Sequence, residues 1–163
     1  MSPKFLYDAL GSQLFDAITE LPEYYPTRTE RAIFDAHAAS IASRVGPGRT
    51  LIDLGAGSCE KAAQLFDALQ PARYVAVDIS VDYLRQALTV LQRQHPRIEM
   101  LGVGADFSTS LVLPPEAGTG ERLVFYPGSS IGNFTPEQAL RLLRQVRSAA
   151  GAGGALLIGV DLV

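Results

Sequence analysis

The chain has 163 residues, of which 47% are hydrophobic and 19% are charged, and its formal net charge is -3. This length and composition indicate one folded domain with a real core and argue against a disordered chain. The acidic balance and the lack of any Lys/Arg cluster in the sequence argue against a nucleic-acid partner. No apolar run in the sequence reaches the length of a membrane span, and no signal peptide is visible. With one cysteine, Cys59, we expect a cytoplasmic protein without an internal disulfide.

Two helical patterns precede the first predicted strand. Apolar residues at helical spacing predict a helix within residues 4–21, and the following "PEYYP" predicts an extended loop. Thr27 and Glu30 match a capping box, which predicts that the next helix opens there. That helix is expected to continue to Val45 and to end at "GPG".

From Thr50 onward, short β-rich runs alternate with helical stretches. The predicted strands are "TLIDL", "RYVAVDI", "IEMLGV", "RLVFY" and "ALLIGVDLV", and the predicted helices cover residues 59–69, 82–95 and 136–150. Residues 108–121 show no clear helical pattern and predict a loop with room for one helical turn. This alternation predicts an α/β fold with a doubly wound, Rossmann-like parallel sheet.

The last helix and the last strand carry different signals at their ends. Thr135, with Pro136 and Gln138 after it, provides a start signal for the last helix. The final apolar run ends at Val163, and a sheet that stops at its fifth strand would leave an edge uncovered. We therefore expect the chain to be part of a longer protein whose fold is truncated here after the fifth strand.

Glycine and polar residues follow four of the predicted strands. Gly55 opens a Gly-x-Gly loop after the first strand, Asp78 ends the second, Asp106 follows the third and "GSSIGNF" follows the fourth. In a doubly wound sheet, ligands bind beyond the carboxyl ends of the strands. We therefore expect these four segments to converge on one crevice.

The glycine loop indicates what kind of ligand the crevice binds. A dinucleotide-binding loop needs a third glycine, but Glu60 occupies that position, and its carboxylate would repel a phosphate. Asp53, two residues ahead of Gly55, is equally unfavourable for an anion. A ligand without phosphate and with a positive centre fits better. The loop therefore favours S-adenosylmethionine over NAD.

Two carboxylates suit a nucleoside. Asp78 stands 21 residues after Gly57 and can accept from both ribose hydroxyls, although NAD would use it in the same way. Asp106 can accept from the adenine amino group, with Phe107 packing nearby. A single Asp after a strand is more often a turn or cap residue, so only the pair favours a nucleoside site. The sequence has no metal-binding cluster, and Cys59 is expected to be a packing residue rather than a nucleophile.

The sequence resembles the histidine-specific, S-adenosylmethionine-dependent methyltransferase family over essentially its whole length. The resemblance is carried by "FLYDALGSQLFDAITELPEYYPTRTE", "DLGAGSCEKAAQLFDAL", "VAVDIS", "GADF" and "YPGSSIGNF". The N-terminal string and "GSSIGNF" are far more specific than the glycine loop, which many methyltransferases share. The resemblance implies a class I methyltransferase that methylates the α-amino nitrogen of histidine to give trimethylhistidine for ergothioneine biosynthesis.

The resemblance also implies roles for individual residues. Five residues would contact the cofactor, namely Gly55, Lys61, Asp78, Asp106 and Phe107, and two would bind the amino-acid substrate, namely Tyr24 and Asn133. On the sequence alone, Lys61 also fits a solvated helix residue and Asn133 a turn residue. Residues 1–48 would form a helical segment that contributes to the substrate site, and residues 49–163 an incomplete cofactor-binding domain.

Alternatives follow from the same resemblance. The family recognises the imidazole through a later insertion, so another amino acid, such as a tryptophan derivative, is a second candidate substrate. A cofactor-binding domain without activity is a third hypothesis, and we expect these 163 residues alone to be inactive. The full-length protein is expected to be a monomer whose partner is a small-molecule amino-acid substrate, histidine, and which binds neither nucleic acid nor membrane.

Overall fold

The computed structural model describes residues 11, 14 and 17–162. Its strands are β1 (Thr50–Leu54), β2 (Arg73–Asp78), β3 (Glu99–Gly104), β4 (Arg122–Tyr126) and β5 (Ala155–Ile158). They pair in parallel in the order β3-β2-β1-β4-β5. Strands β2 and β3 lie on one side of β1, and β4 and β5 lie on the other. The strand order therefore reverses between β1 and β4, which places a crevice at their carboxyl ends. The predicted doubly wound parallel sheet is confirmed.

One helix precedes β1, and the others lie between strands in chain order. They are α1 (Tyr25–Val45), α2 (Glu60–Ala63), α3 (Phe66–Leu69), α4 (Val81–Gln94) and α5 (Pro136–Ala150). The helix predicted at 59–69 is thus two short helices, because the Leu65 N–H bonds to the Ala62 carbonyl, three residues back instead of four. Segment 108–121 contains one 3₁₀ turn, Pro115–Ala117, as predicted. No helix within 17–162 is long and apolar enough to cross a membrane.

Helix α1 begins earlier than predicted. It starts at Tyr25 with Pro26 in its first turn, where a missing N–H breaks no helical hydrogen bond, so the last two residues of "PEYYP" are helical. No side chain caps this helix, so the predicted capping box of Thr27 and Glu30 is wrong. The helix ends at Val45, before the glycines, as predicted. Most of the helix predicted within residues 4–21 lies outside the described residues. Those described in this range include residues 11, 14 and 17–19, which are helical.

The core fills both faces of the sheet, and successive residues of each strand alternate between them. On β1, Leu51 packs in a cluster with Phe34 of α1, while Ile52 packs in a second cluster with Leu142 of α5. The ring centroids of Phe34 and Phe125 are 5.5 Å apart. Burying each such side chain contributes about 1.5–3 kcal/mol, so α1 is held against the sheet by its own core contacts.

Strand β5 is shorter than the predicted run at residues 155–163. Gly159 still donates its N–H to the Tyr126 carbonyl at 3.0 Å, but the chain then leaves the sheet. The Asp161 N–H donates to Ser129 Oγ at 2.9 Å. The exit from β5 therefore lies against the loop that follows β4.

Candidate cofactor and substrate site

A cavity of about 770 Å³ lies beyond the carboxyl ends of the strands. The segments that follow β1, β2, β3 and β4 all line it, together with part of α1, so the predicted convergence is confirmed. Its size is typical of small-molecule sites. Six of the seven predicted site residues line it, namely Gly55, Lys61, Asp78, Asp106, Phe107 and Asn133.

The seventh predicted site residue, Tyr24, is not among the lining residues. It is partly buried immediately before α1, and its carbonyl accepts a 3.2 Å hydrogen bond from Arg28. The neighbouring Tyr25 is exposed and donates its hydroxyl to Asp161 Oδ2 at 3.0 Å, and this bond raises the pKa of Tyr25. The substrate role of Tyr24 stays a prediction.

The glycine loop holds two residues in the left-handed backbone region. Gly55 has φ 74° and Gly57 has φ 51°, which other residues adopt only with strain. The ring of Phe107 would lie 3.8 Å from a side-chain carbon at Gly55, so the ring packs against the loop backbone. These two glycines therefore allow a tight turn that leaves backbone exposed to the cavity.

Asp78 holds the glycine loop in place. Its Oδ2 accepts the Gly57 N–H at 2.9 Å, and its Oδ1 accepts the Ser80 N–H at 2.8 Å. Each carboxylate oxygen has a second lone pair, so both can still accept from a ligand hydroxyl. Asp78 is thus a structural residue of the loop as well as the predicted ribose ligand.

Asp106 and Asn133 occupy turns at the cavity wall. Asp106 Oδ1 accepts hydrogen bonds from the Ser108 N–H at 3.1 Å and from the Ser108 hydroxyl. These bonds are typical of a turn residue, which is the alternative interpretation of Asp106 from the sequence. Asn133 is the last residue of the 3₁₀ turn Ser130–Asn133, and it is exposed. Two residues later, Thr135 and Gln138 form the capping box of α5, as predicted.

The expectation that Asp53 disfavours an anionic ligand is not supported, because its side chain does not line the cavity. Asp53 is 1% exposed, and its Oδ2 accepts a 2.8 Å hydrogen bond from the hydroxyl of Tyr74. Its Oδ1 has no hydrogen-bond partner among the described residues. Burial raises the pKa of Asp53 to about 7, against the opposing effect of the Tyr74 hydrogen bond. Sequence patterns gave no signal for this buried pair.

Cys59 is buried at the start of α2, with φ 64°. Burial raises the pKa of its thiol to about 12, so the reactive thiolate is suppressed. The predicted packing role is confirmed by its membership of the core cluster that contains Phe66 and Tyr74.

The charges of the cavity are mainly negative. Among the described lining residues the carboxylates are Glu20, Glu30, Glu60, Asp78 and Asp106, and the cations are Arg31, Lys61 and Arg141. Glu60 stands where a third glycine would admit a pyrophosphate, as the sequence indicated. This arrangement suits a ligand with a positive centre and two ribose hydroxyls, and it disfavours a phosphate.

Glu30 is the main site residue that sequence reasoning missed. Its Oε2 pairs with Lys61 Nζ at 2.6 Å, and its Oε1 accepts the Gly128 N–H at 2.7 Å. The Thr-x-x-Glu spacing pointed instead to a helix cap. A signal for this contact was absent because the partners lie 31 and 98 residues away in sequence.

The sheet order and the cavity together define a Rossmann-like, class I methyltransferase fold. A solved structure of magnesium protoporphyrin IX methyltransferase from Synechocystis PCC 6803 with bound S-adenosylmethionine matches it with a TM-score of 0.66 at 17% identity. The match covers 91% of this chain and 70% of that one. The chain belongs to the histidine-specific, S-adenosylmethionine-dependent methyltransferase family, whose model matches residues 1–163. S-adenosylmethionine is the cofactor of this family.

Two curated relatives agree with this membership. The histidine N-alpha-methyltransferase of Mycolicibacterium smegmatis is 41% identical over all of this chain and 51% of its own length. The ergothioneine biosynthesis protein 1 of Neurospora crassa is 35% identical over 96% of this chain and 18% of its own length. The chain thus spans about half of the bacterial relative.

Proposed function

We propose that this chain forms the cofactor-binding part of an enzyme that methylates the α-amino nitrogen of L-histidine. The product would be trimethylhistidine (hercynine), for ergothioneine biosynthesis. One observation carries the proposal: the glycine loop, Asp78, Asp106 and Asn133 line a single cavity in a chain of the histidine-specific family.

The cofactor side of the cavity would be formed by the loops after β1, β2 and β3. When bound, S-adenosylmethionine supplies an electrophilic methyl group on a positive sulfur. Asp78 would accept from the ribose hydroxyls, and Asp106 and Phe107 would contact the adenine. Gly55 would let the backbone approach the ligand, and the Lys61 ammonium would attract the carboxylate of its amino-acid end.

The substrate side would be formed by the loop after β4. The Asn133 amide offers two donors and an acceptor, which suits the charged end of an amino acid. The main task of the protein is then to point the neutral amine at the methyl carbon. Orientation of this kind can contribute roughly 7–11 kcal/mol to catalysis.

Residues 1–48 are proposed to contribute to the substrate site from the N-terminal side. The support is that α1 lines the cavity through Thr27, Glu30 and Phe34. Residues 49–163 would supply the cofactor site.

Calorimetry with the purified chain tests the cofactor assignment. S-adenosylmethionine should bind, NAD should not, and Glu60→Gly should not create NAD binding, because the other cavity carboxylates remain. Tight NAD binding without any signal from S-adenosylmethionine would refute the proposal.

Methyl-transfer assays test the substrate assignment. A longer protein that contains this chain should methylate histidine in preference to tryptophan derivatives. The 163 residues alone should bind the cofactor without appreciable turnover, because this chain spans only about half of the bacterial relative and the hydrogen bonds that hold the imidazole would come from the other half. Preference for a tryptophan derivative would assign the chain to another amino-acid substrate.

A further inference from the structure

Glu30 joins three segments of the molecule that are distant in sequence. It projects from α1 and contacts Lys61, in the first turn after the glycine loop, and Gly128, at the start of the loop after β4. Its side chain is only 13% exposed, and that of Lys61 is 30% exposed. A partly buried carboxylate held by one ammonium and one backbone N–H is a specific arrangement, since an unpaired charge there would be destabilising.

The segment that follows β5 packs closely against the Glu30 carboxylate. A methyl group at Gly159 would overlap Glu30 Oε1 and lie 3.3 Å from the Gly128 nitrogen. Gly159 does not have a positive φ, so its lack of a side chain is required by this contact and not by backbone strain. The chain thus leaves room for Glu30 at a position where most residues would displace it.

We infer that Glu30 is a positioning residue, which holds the Lys61 ammonium toward the cofactor and anchors the loop that carries Asn133. This inference rests on the proposed function, in which Lys61 contacts the cofactor. Without Glu30, the flexible lysine side chain loses its fixed direction, and the cavity loses a negative charge that attracts a ligand with a sulfonium. Both effects weaken cofactor binding, but only the first acts through Lys61.

The experiment is a double-mutant cycle on S-adenosylmethionine affinity, measured by calorimetry with Glu30→Gln, Lys61→Met and the double variant. The glutamine oxygen can still accept the Gly128 N–H, so Glu30→Gln mainly removes the ion pair. We expect each single change to weaken binding by about tenfold, and the double variant to bind more weakly than either single variant but by less than the product of the two losses. Asp35→Asn is the matched control, since it neutralises an exposed carboxylate of the same helix outside the cavity, and its affinity should equal that of the wild type.

A second variant tests the same contact without changing any charge. Gly159→Ala should displace the Glu30 carboxylate and weaken cofactor binding, whereas Gly120→Ala, which meets nothing within 4 Å, should not. This arm keeps the inference testable if Glu30→Gln does not fold.

The outcomes separate the inference from the function on which it rests. A wild-type chain that does not bind S-adenosylmethionine refutes the proposed function. Wild-type binding with unchanged affinity in Glu30→Gln and Gly159→Ala overturns the role of Glu30. Losses that add fully in the double variant show that Glu30 acts independently of Lys61, which also overturns it.

Discussion

The hydroxyl of Tyr74 on β2 donates a 2.8 Å hydrogen bond to Asp53 Oδ2 on β1, and both side chains are buried. Asp53 lies two residues before the first glycine of the loop. One oxygen of this carboxyl group accepts a hydrogen bond from a single hydroxyl. The other oxygen has no hydrogen-bond partner among the described residues. Its protonation state therefore depends on pH near neutrality.

We predict that Asp53 makes the protein less stable as pH rises toward 7. Its folded pKa of about 7 exceeds the reference value of 3.8, so the folded state keeps a proton that the unfolded state releases. The associated stabilisation is complete below pH 3.8 and is lost as pH rises through about 7, by up to about 1.4 kcal/mol per pH unit. Urea unfolding at several pH values should show Asp53→Asn gaining stability over the wild type across this range.

The control for this prediction is Tyr74→Phe, which removes the bond that lowers the pKa of Asp53, so the loss of stability should extend to higher pH. The other groups that act on this carboxyl are Asp78, Lys61 and Glu30. Parallel pH profiles for the wild type and Asp53→Asn would show that folding does not raise the pKa of Asp53.

Asp78→Ala should reduce S-adenosylmethionine affinity more than tenfold. The variant loses acceptors for two ribose hydroxyls, and hydrogen bonds to charged groups contribute about 1.5–3 kcal/mol each. It also releases Gly57 and Ser80, so the melting temperature should fall while the transition stays cooperative. Asp82→Ala, at an exposed position in α4, is the control for both measurements. An unchanged dissociation constant would leave Asp78 a turn residue only.

Asn133→Ala, in a longer protein that contains this chain, should weaken histidine binding and leave cofactor affinity nearly unchanged. The reason is position, since Asn133 lies after β4 and the predicted cofactor residues lie after β1, β2 and β3. Calorimetry with each ligand separately provides the measurement, and Asn133→Asp, which keeps the size and loses the donors, is the matched variant. Equal losses for both ligands would disprove the assigned role.

Cys59 should be inert toward alkylating reagents in the folded protein. It is 0% exposed, and burial raises the pKa of its thiol to about 12. Iodoacetamide at neutral pH should therefore leave the native chain unmodified and label the urea-unfolded chain once. Rapid labelling of the native chain would mean that the start of α2 opens readily.

Thr135→Ala should destabilise the protein by about 0.5–2 kcal/mol, because its side chain caps α5 within a capping box. Thr27→Ala tests the same sequence pattern at α1, where no side chain caps the helix. Its loss should be clearly smaller in urea unfolding. Equal losses would indicate that Thr27 stabilises α1 in another way.

Local sequence patterns determined the elements and their order. The apolar runs place β1 and β4 at their observed bounds, and the Thr135 signal marks the start of α5, because these features depend on neighbours within a few residues. The parallel arrangement follows from the alternation of strands and helices. Because the carboxyl ends of parallel strands lie at the same edge of a sheet, Gly55, Asp78 and Asp106 then lie close together there.

Tertiary structure decided which way the charged side chains face. Glu30 lies in a helix-start pattern but binds Lys61 and Gly128, and Asp53 lies beside the glycine loop but turns inward to Tyr74. These partners are 21 to 98 residues apart, so no local pattern encodes the contacts. Burial and pairing of a charge depend on the whole packed sheet, because only folding sets which groups replace the water around it.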